Sequence, residues 1–223
     1  MKGRDQQGPM ASSFITCLRN GAYEMGISLT DSQISLMCRH AKELDLWNQK
    51  INLTAITDPQ ESAEKHFVDS LVAKKFMDPD QQILDMGSGP GFPGLPLKIM
   101  DPEQEFVLVD SSRKKINFLK HLIRCLDLDK IQAVHSRVED LHQDKAFAGQ
   151  FRGVISRAFS GLEKFVILAQ PFLKPGGTIY AMKGKLTPGD ITPFLKENFI
   201  VRTDHYRLPF EKSHRHMVRF QKK

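Results

Sequence analysis

From about residue 80 onward the chain stops reading as helix and begins to alternate. Short apolar runs, QILDM, EFVLVD, IQAVHS, RGVISRA and GTIYAMKG, are separated by segments of helical spacing such as Lys114 to Leu126. Strands joined by helical crossovers lie parallel, and strands this continuously apolar are covered on both faces, so the pattern predicts an α/β fold around a mostly parallel sheet. The tail changes again. FIVRTDHYRL and RHMVRF read as two strands with no helix between them and predict an antiparallel pair closing the sheet. Upstream of residue 80 the chain reads as helical. Thr30 and Gln33 fit a capping box, and Ile34, Met37, Cys38, Ala41 and Leu44 keep helical spacing as far as Gln49. A second helix is predicted from Ser62 to Phe76, with the polar NLTAITDP as connection. The organisation expected is a disordered segment 1–10, an N-terminal helical segment 11–79 and a sheet domain 80–223.

The 223 residues suffice for one sizeable core, and 32 basic against 26 acidic residues leave a net charge of +6, which favours a polyanionic partner. Cys17, Cys38 and Cys125 are odd in number and form no CxxC pair, which argues against a disulfide framework or zinc knuckle. No apolar run approaches the roughly 20 residues of a membrane span, and the N-terminus lacks the apolar region of a secretion signal. A cytoplasmic, monomeric protein without membrane contact is expected.

The chemistry concentrates after the first predicted strand, in ILDMGSGPGFPG (Ile83 to Gly94). Such a strand-to-helix turn meets ligands at the open end of an α/β sheet, where glycine lets a ligand approach the main-chain amides. A phosphate-binding P-loop needs a lysine and a hydroxyl after its last glycine, but Leu95 and Pro96 follow Gly94. The dinucleotide pattern GxGxxG is met by Gly89, Gly91 and Gly94, with Asp110 at a suitable distance downstream for a ribose-binding acid. Against it stands the order Asp85, Gly87, Gly89, Gly91, which resembles the loop of class I (Rossmann-like) methyltransferases, as LKPGGTIYAMKG resembles the entry to their fifth strand. That resemblance implies S-adenosylmethionine, with Asp110 accepting from the ribose hydroxyls and Glu139 near the adenine. Both acids also suit helix starts, whose macrodipole favours negative charge.

The acceptor is narrowed by what is missing. An Asp/Asn-Pro-Pro-aromatic motif, as in methyltransferases of exocyclic amines, would follow the fourth strand, where ISRAFS stands; no cysteine lies near the fourth or fifth strand to attack a pyrimidine ring. Ribose methylation would use a set like Lys-Asp-Lys-Glu, and although Lys183 is suitably placed, Arg157 stands where the aspartate belongs. An acceptor needing no general base, such as the ring nitrogen at position 7 of guanine, remains.

WNQKINLTAIT, KHFVDSL, LDMGSGPGFPGLPL, SRVED, VISRAFS, YAMKG and RHMVRF, in order from about residue 45 to 220, resemble the RsmG, or glucose-inhibited division protein B, family. The resemblance implies S-adenosylmethionine-dependent 7-methylation of a guanosine in 16S ribosomal RNA, with the rRNA or small ribosomal subunit as partner. It further implies that Gly87, Gly89, Phe92, Asp110, Val138, Glu139 and Arg157 line the cofactor pocket, Arg157 in a positioning role. Asn48, Lys50, Asn52, His66 and Lys183 are candidates to face RNA, although helix capping explains the polar loop residues equally well. Arg157 can hold cofactor, grip a phosphate or pair with a carboxylate. His205, His214 and His216 lack a further ligand nearby, and no metal is expected. The alternatives left open are an rRNA ribose or other-base methyltransferase, a cofactor-retaining ribosome-assembly protein without turnover, and a nicotinamide oxidoreductase.

Overall fold

The computed structural model describes residues 9–79, 82–157, 159 and 161–223, with side chains from residue 12. Helix α1 (Pro9–Glu24) begins inside the segment expected to be disordered, so Pro9 and Met10 are helical, while residues 1–8 lie outside the described residues, as does position 80. α1 is one element the sequence pattern did not single out. Helix α2 (Asp31–Ile51) opens with the predicted box: Thr30 Oγ1 accepts from Gln33 N at 3.2 Å while Gln33 Oε1 accepts from Thr30 N at 2.8 Å. The second predicted helix is a composite of α3 (Pro59–Ser62), a π-helical stretch (Ala63–Val68), α4 (Asp69–Val72) and a 3-10 turn (Ala73–Phe76).

Among the described residues seven strands follow: β1 (Ile83–Met86), β2 (Phe106–Asp110), β3 (Ile131–His135), β4 (Phe151–Arg157), β5 (Leu173–Lys183), β6 (Phe199–Arg207) and β7 (His214–Lys222). Their order in the sheet is β3-β2-β1-β4-β5-β7-β6. The first five pair in parallel, and β7 runs antiparallel to both β5 and β6, as the tail predicted. The crossovers carry α5 (Gly94–Met100), α6 (Arg113–Cys125), α7 (Val138–Leu141) and α8 (Leu162–Ala169), and α9 (Pro193–Asn198) precedes β6.

Successive strand residues alternate between two cores. Ile83, Leu108, Ile155 and Tyr180 join a cluster with Met37, Phe67 and Phe118 of the helices on one face. Leu84, Val107, Val154 and Ile179 join Phe165 and Leu195 on the other. The N-terminal helices thereby share a core with the sheet, and fully burying each large apolar side chain contributes about 1.5–3 kcal/mol. β1 has β2 on one side and β4 on the other, so chain order reverses there, and the carboxyl ends of those three strands form the crevice where α/β sheets take ligands.

Candidate functional site

One half of the crevice is made of backbone. β1 ends at Met86, and the turn that follows is tied to β2 through Gly87 N and Ser88 N, which donate to Val109 O at 2.8 and 3.0 Å. Gly87 and Gly89 adopt φ of +74° and +56°, the left-handed region that favours glycine, and a Cβ on either would meet no protein atom within 4 Å. That side of the loop is open. Gly94, at the start of α5, is the opposite case: a Cβ there would lie 2.4 Å from Leu108 Cδ2 and 2.7 Å from Asp85 Oδ2.

Two carboxylates brace this loop. Asp110, the last residue of β2, accepts from Gly89 N at 3.0 Å through Oδ2 and from Ser112 N at 2.8 Å through Oδ1, with Lys115 Nζ 3.7 Å from Oδ2. Asp85 Oδ2 accepts from Gly94 N at 2.8 Å, whereas its Oδ1 is buried with no partner among the described residues. Burial pushes the Asp85 carboxyl up to about 7 despite the Gly94 N–H and the Arg157 charge pulling the other way. A free acceptor on Asp85, spare lone pairs on Asp110 and an open turn ending in a helix are what a cofactor with a cationic head and a ribose diol needs, so these residues fit S-adenosylmethionine.

The other half is made of side chains. Arg157, ending β4, donates through Nη1 to Lys65 O at 2.6 Å and through Nη2 to His66 Nδ1 at 3.0 Å. A guanidinium only donates, so Nδ1 accepts and the ring proton sits on Nε2, which donates to Thr54 Oγ1 at 2.9 Å. Burial, then the Arg157 charge, lowers the His66 pKa to about 3, and the ring stays neutral. Asp69 completes the network: its Oδ1 accepts from Tyr206 O–H at 2.8 Å, and its Oδ2 lies 3.8 Å from both Arg157 Nη1 and Arg215 Nε. The Phe92 ring is stacked between His40 and His66, at centroid distances of 4.9 and 4.5 Å, with Arg157 Cζ 5.3 Å from its centre.

The residues singled out in the sequence fall in different settings. The Phe92 side chain, 2 % exposed, is taken up by this stack. His66, 6 % exposed, bonds Arg157 and Thr54. Asn48 Oδ1 accepts from Leu53 N and Thr54 N at 2.6 and 2.9 Å, so it shapes the connection after α2. Asn52, at φ +49°, ends that helix and is exposed, as is Lys50; Lys183 is partly buried, its Nζ 3.9 Å from Asp190 Oδ1. Val138 packs against the second core and Glu139 beside it is exposed at the start of α7. Thr54, Tyr206, Arg215 and His40 were not singled out for this site. Tyr206 and Arg215 sit opposite each other in the β6–β7 register, a pairing with no local motif to announce it, and His40 lies among the apolar positions of α2.

A cleft of about 680 Å³ between α1 and the helices from Pro59 onward lies apart from the glycine loop. Its carboxylates are engaged, Glu64 with Phe210 N and Glu211 N, and Glu61 with Lys65, so the chemistry is placed at the strand ends instead. As for metals, Glu43, His121 and Cys125 bring ligand-type atoms within 4.8 Å of one another, but the Arg39 guanidinium, 3.7 Å from Cys125 Sγ, opposes a cation there. His205 and His216 stack edge to face at 4.8 Å, and His214 pairs with Arg207.

Comparison with known proteins agrees with this geometry. The family model described as GidB, rRNA small subunit methyltransferase G, matches residues 33–218. A relative named ribosomal RNA small subunit methyltransferase G from Geobacter sulfurreducens is 42 % identical over 206 residues, covering 90 % of this chain and 94 % of that protein. One of the same name from Acinetobacter baumannii is 40 % identical over 210 residues, covering 94 % and 98 %. Among solved structures, a SAM-dependent methyltransferase from Aquifex aeolicus superposes with a TM-score of 0.55 at 15 % identity, over 82 % of this chain and 96 % of that one. TYW2 from M. jannaschii, solved in complex with AdoMet, gives 0.51 at 14 % identity, over 70 % and 77 %; both show the fold alone.

Proposed function

The chain belongs to the rRNA small subunit methyltransferase G family, and on that premise we propose that it methylates the 7-position nitrogen of a guanosine in 16S rRNA with S-adenosylmethionine as donor. The observation that carries this reading is the pairing of an open glycine turn, at Gly87 and Gly89, with a strand end whose ionisable side chains are already engaged. The cofactor, when bound, supplies a methyl whose bond electrons return to the sulfonium sulfur as the guanine lone pair takes the carbon, so no proton leaves the acceptor.

The protein's part is then alignment. The open side of the turn at Gly87 and Gly89 and the carboxylates of Asp85 and Asp110 hold the cofactor, Val138 and Glu139 flank its adenine side, and Arg157 holds the strand end in position. His66, neutral and occupied on both ring nitrogens, is unsuited to take a proton. Lys50 and Asn52, both exposed, remain the substrate-facing candidates at the C-terminal end of α2. No helix among the described residues is long and apolar enough to cross a membrane, and we place the protein in the cytoplasm as a monomer acting on the small-subunit RNA.

The test is mass spectrometry of 16S rRNA from cells with and without this protein, paired with tritiated-methyl transfer in vitro. One 7-methylguanosine should vanish with the protein and return on complementation. Persistence of every such mark in its absence would overturn the assignment, and cofactor binding without methyl incorporation would favour an assembly protein lacking turnover.

A further inference from the structure

We propose that the outer face of α6 is a phosphate track along which the substrate RNA's backbone runs toward the cofactor loop. The inference rests on the rRNA methyltransferase reading and adds the surface that reading leaves unplaced.

The helix sequence, RKKINFLKHLIRC, carries five lysines and arginines and no acid. Its inner face, with Ile116, Leu119 and Leu122, is buried against the sheet. Its outer face presents Arg113, Asn117, Lys120 and Arg124 at intervals of four, three and four residues, with Lys114 beside them, all exposed. The stripe spans about 16 Å along the helix at roughly 1.5 Å per residue, enough to meet several phosphates of one strand.

Two features distinguish this helix. Where some long basic side chains elsewhere are paired, Lys74 with Asp101 at 2.6 Å, Lys130 with Glu103 at 2.7 Å and Arg219 with Asp204 at 2.7 Å, this helix gathers four exposed ones on an outer face that carries no acid. Among the described residues, Arg113, Lys114, Lys120 and Arg124 form no ion pair; on this helix Lys115 pairs with Asp110 and His121 with Glu43. Three consecutive cations also occupy the first turn of the helix, the end whose macrodipole favours acids, so helix stability does not account for them. The opposite side of the sheet is mixed in sign: there Lys145, Lys164 and Lys196 are interleaved with Asp144, Glu163 and Glu197.

Location supplies the direction. α6 starts shortly after Asp110, so Arg113 stands at the rim of the crevice and Arg124 lies furthest from it. Unpaired cations in a row bind a polyanion through its backbone, independently of sequence, and each phosphate neutralised releases counterions.

The experiment compares wild-type protein with two triple variants, K114A/K120A/R124A on the track and K145A/K164A/K196A on the opposite side. Arg113 and Lys115 are left in place beside the cofactor loop, and alanine suits exposed helical positions. Affinity for transcribed 16S rRNA is measured against salt, cofactor affinity by calorimetry, and methyl transfer as a function of RNA concentration. The track variant should lose about 2 to 3 from the slope of log affinity against log salt, at roughly 0.7–0.9 per phosphate contact, and its KM for RNA should rise while kcat and cofactor affinity hold. The opposite-side variant should keep the wild-type slope. A wild-type slope in the track variant, or an equal loss in both variants, would overturn the track while leaving the rRNA reading intact. Wild-type protein with no salt-dependent affinity for rRNA would overturn that reading, and the track with it.

Discussion

The two halves of the crevice are built by opposite means. At the glycine loop the main chain forms the surface: Gly87 and Gly89 turn their open side to space, and Asp85 keeps a buried oxygen with no partner among the described residues. At the end of β4 side chains form it, and their bonds are already taken up: Arg157 with Lys65 O and His66, His66 with Thr54, Asp69 with Tyr206. An open half suits a ligand that comes and goes. A fully bonded half suits a wall that must hold still while two reactants are aligned, because rearranging it would mean breaking several buried contacts at once.

That contrast is most directly broken at Asp69, which is 4 % exposed and faces both Arg157 and Arg215. Burial raises its pKa while Arg157, Tyr206 and Arg215 pull it down. Asp69→Ala removes the shared anion, leaving Arg157 without its carboxylate and Arg215 with Glu211 alone, so unfolding in denaturant should show a loss of about 3–5 kcal/mol. A loss under about 1 kcal/mol would mean that the network is a surface arrangement with no structural role.

The same contrast explains what was legible in the sequence. The glycine loop, its acid and the second-strand acid occupy short stretches, Asp85 to Gly94 and Asp110, where spacing alone carries the geometry. The strands and the antiparallel tail were legible for a similar reason, since their periodicities are local. The Arg157 wall draws on residues 54, 66, 69, 157, 206 and 215, which only the folded sheet brings together. Polar residues such as Asn48 and His66 therefore read as exposed candidates, although the structure uses them to shape a loop and to fix an arginine. Phe92 was placed at the cofactor by family resemblance, and no local pattern announced that two histidine rings from the helical segment enclose its side chain.

Smaller changes separate the two kinds of glycine. Gly94→Ala would push a methyl into Leu108 and the Asp85 carboxylate, and should cost about 1–3 kcal/mol of stability with a matching fall in melting temperature. Gly87→Ala meets no protein atom, so its cost should be limited to the left-handed backbone, about 1–2 kcal/mol, while cofactor affinity falls because the methyl enters the open side. Calorimetry with S-adenosylmethionine alongside thermal unfolding separates these effects. If Gly87→Ala binds the cofactor as well as wild type does, the ligand lies elsewhere.

The smallest expected effects are those of pH, and they too divide between the halves. On the side-chain half, His66 and His40 have pKa values lowered to about 3 and about 4, both led by burial, and remain neutral through the working range. Their contribution to stability is full above the unfolded value of about 6.5 and is lost as pH falls toward the folded values; it does not change on the alkaline side. Single-turnover methylation with RNA and cofactor saturating should therefore be nearly flat from roughly pH 6 to 9. On the backbone half, Asp85 is raised to about 7, so its contribution to the stability of the ligand-free protein is full below the unfolded value of about 3.9 and lost as pH rises through 7. Ionised Asp85 favours a positively charged cofactor, so affinity should tighten over the same interval, by no more than about tenfold per pH unit. Rising pH then loosens the empty protein and tightens the complex, leaving the chemical step unchanged. A saturated rate that climbs tenfold per pH unit would instead reveal a base at work, and would move proton chemistry to a wall whose histidine already has both ring nitrogens bonded.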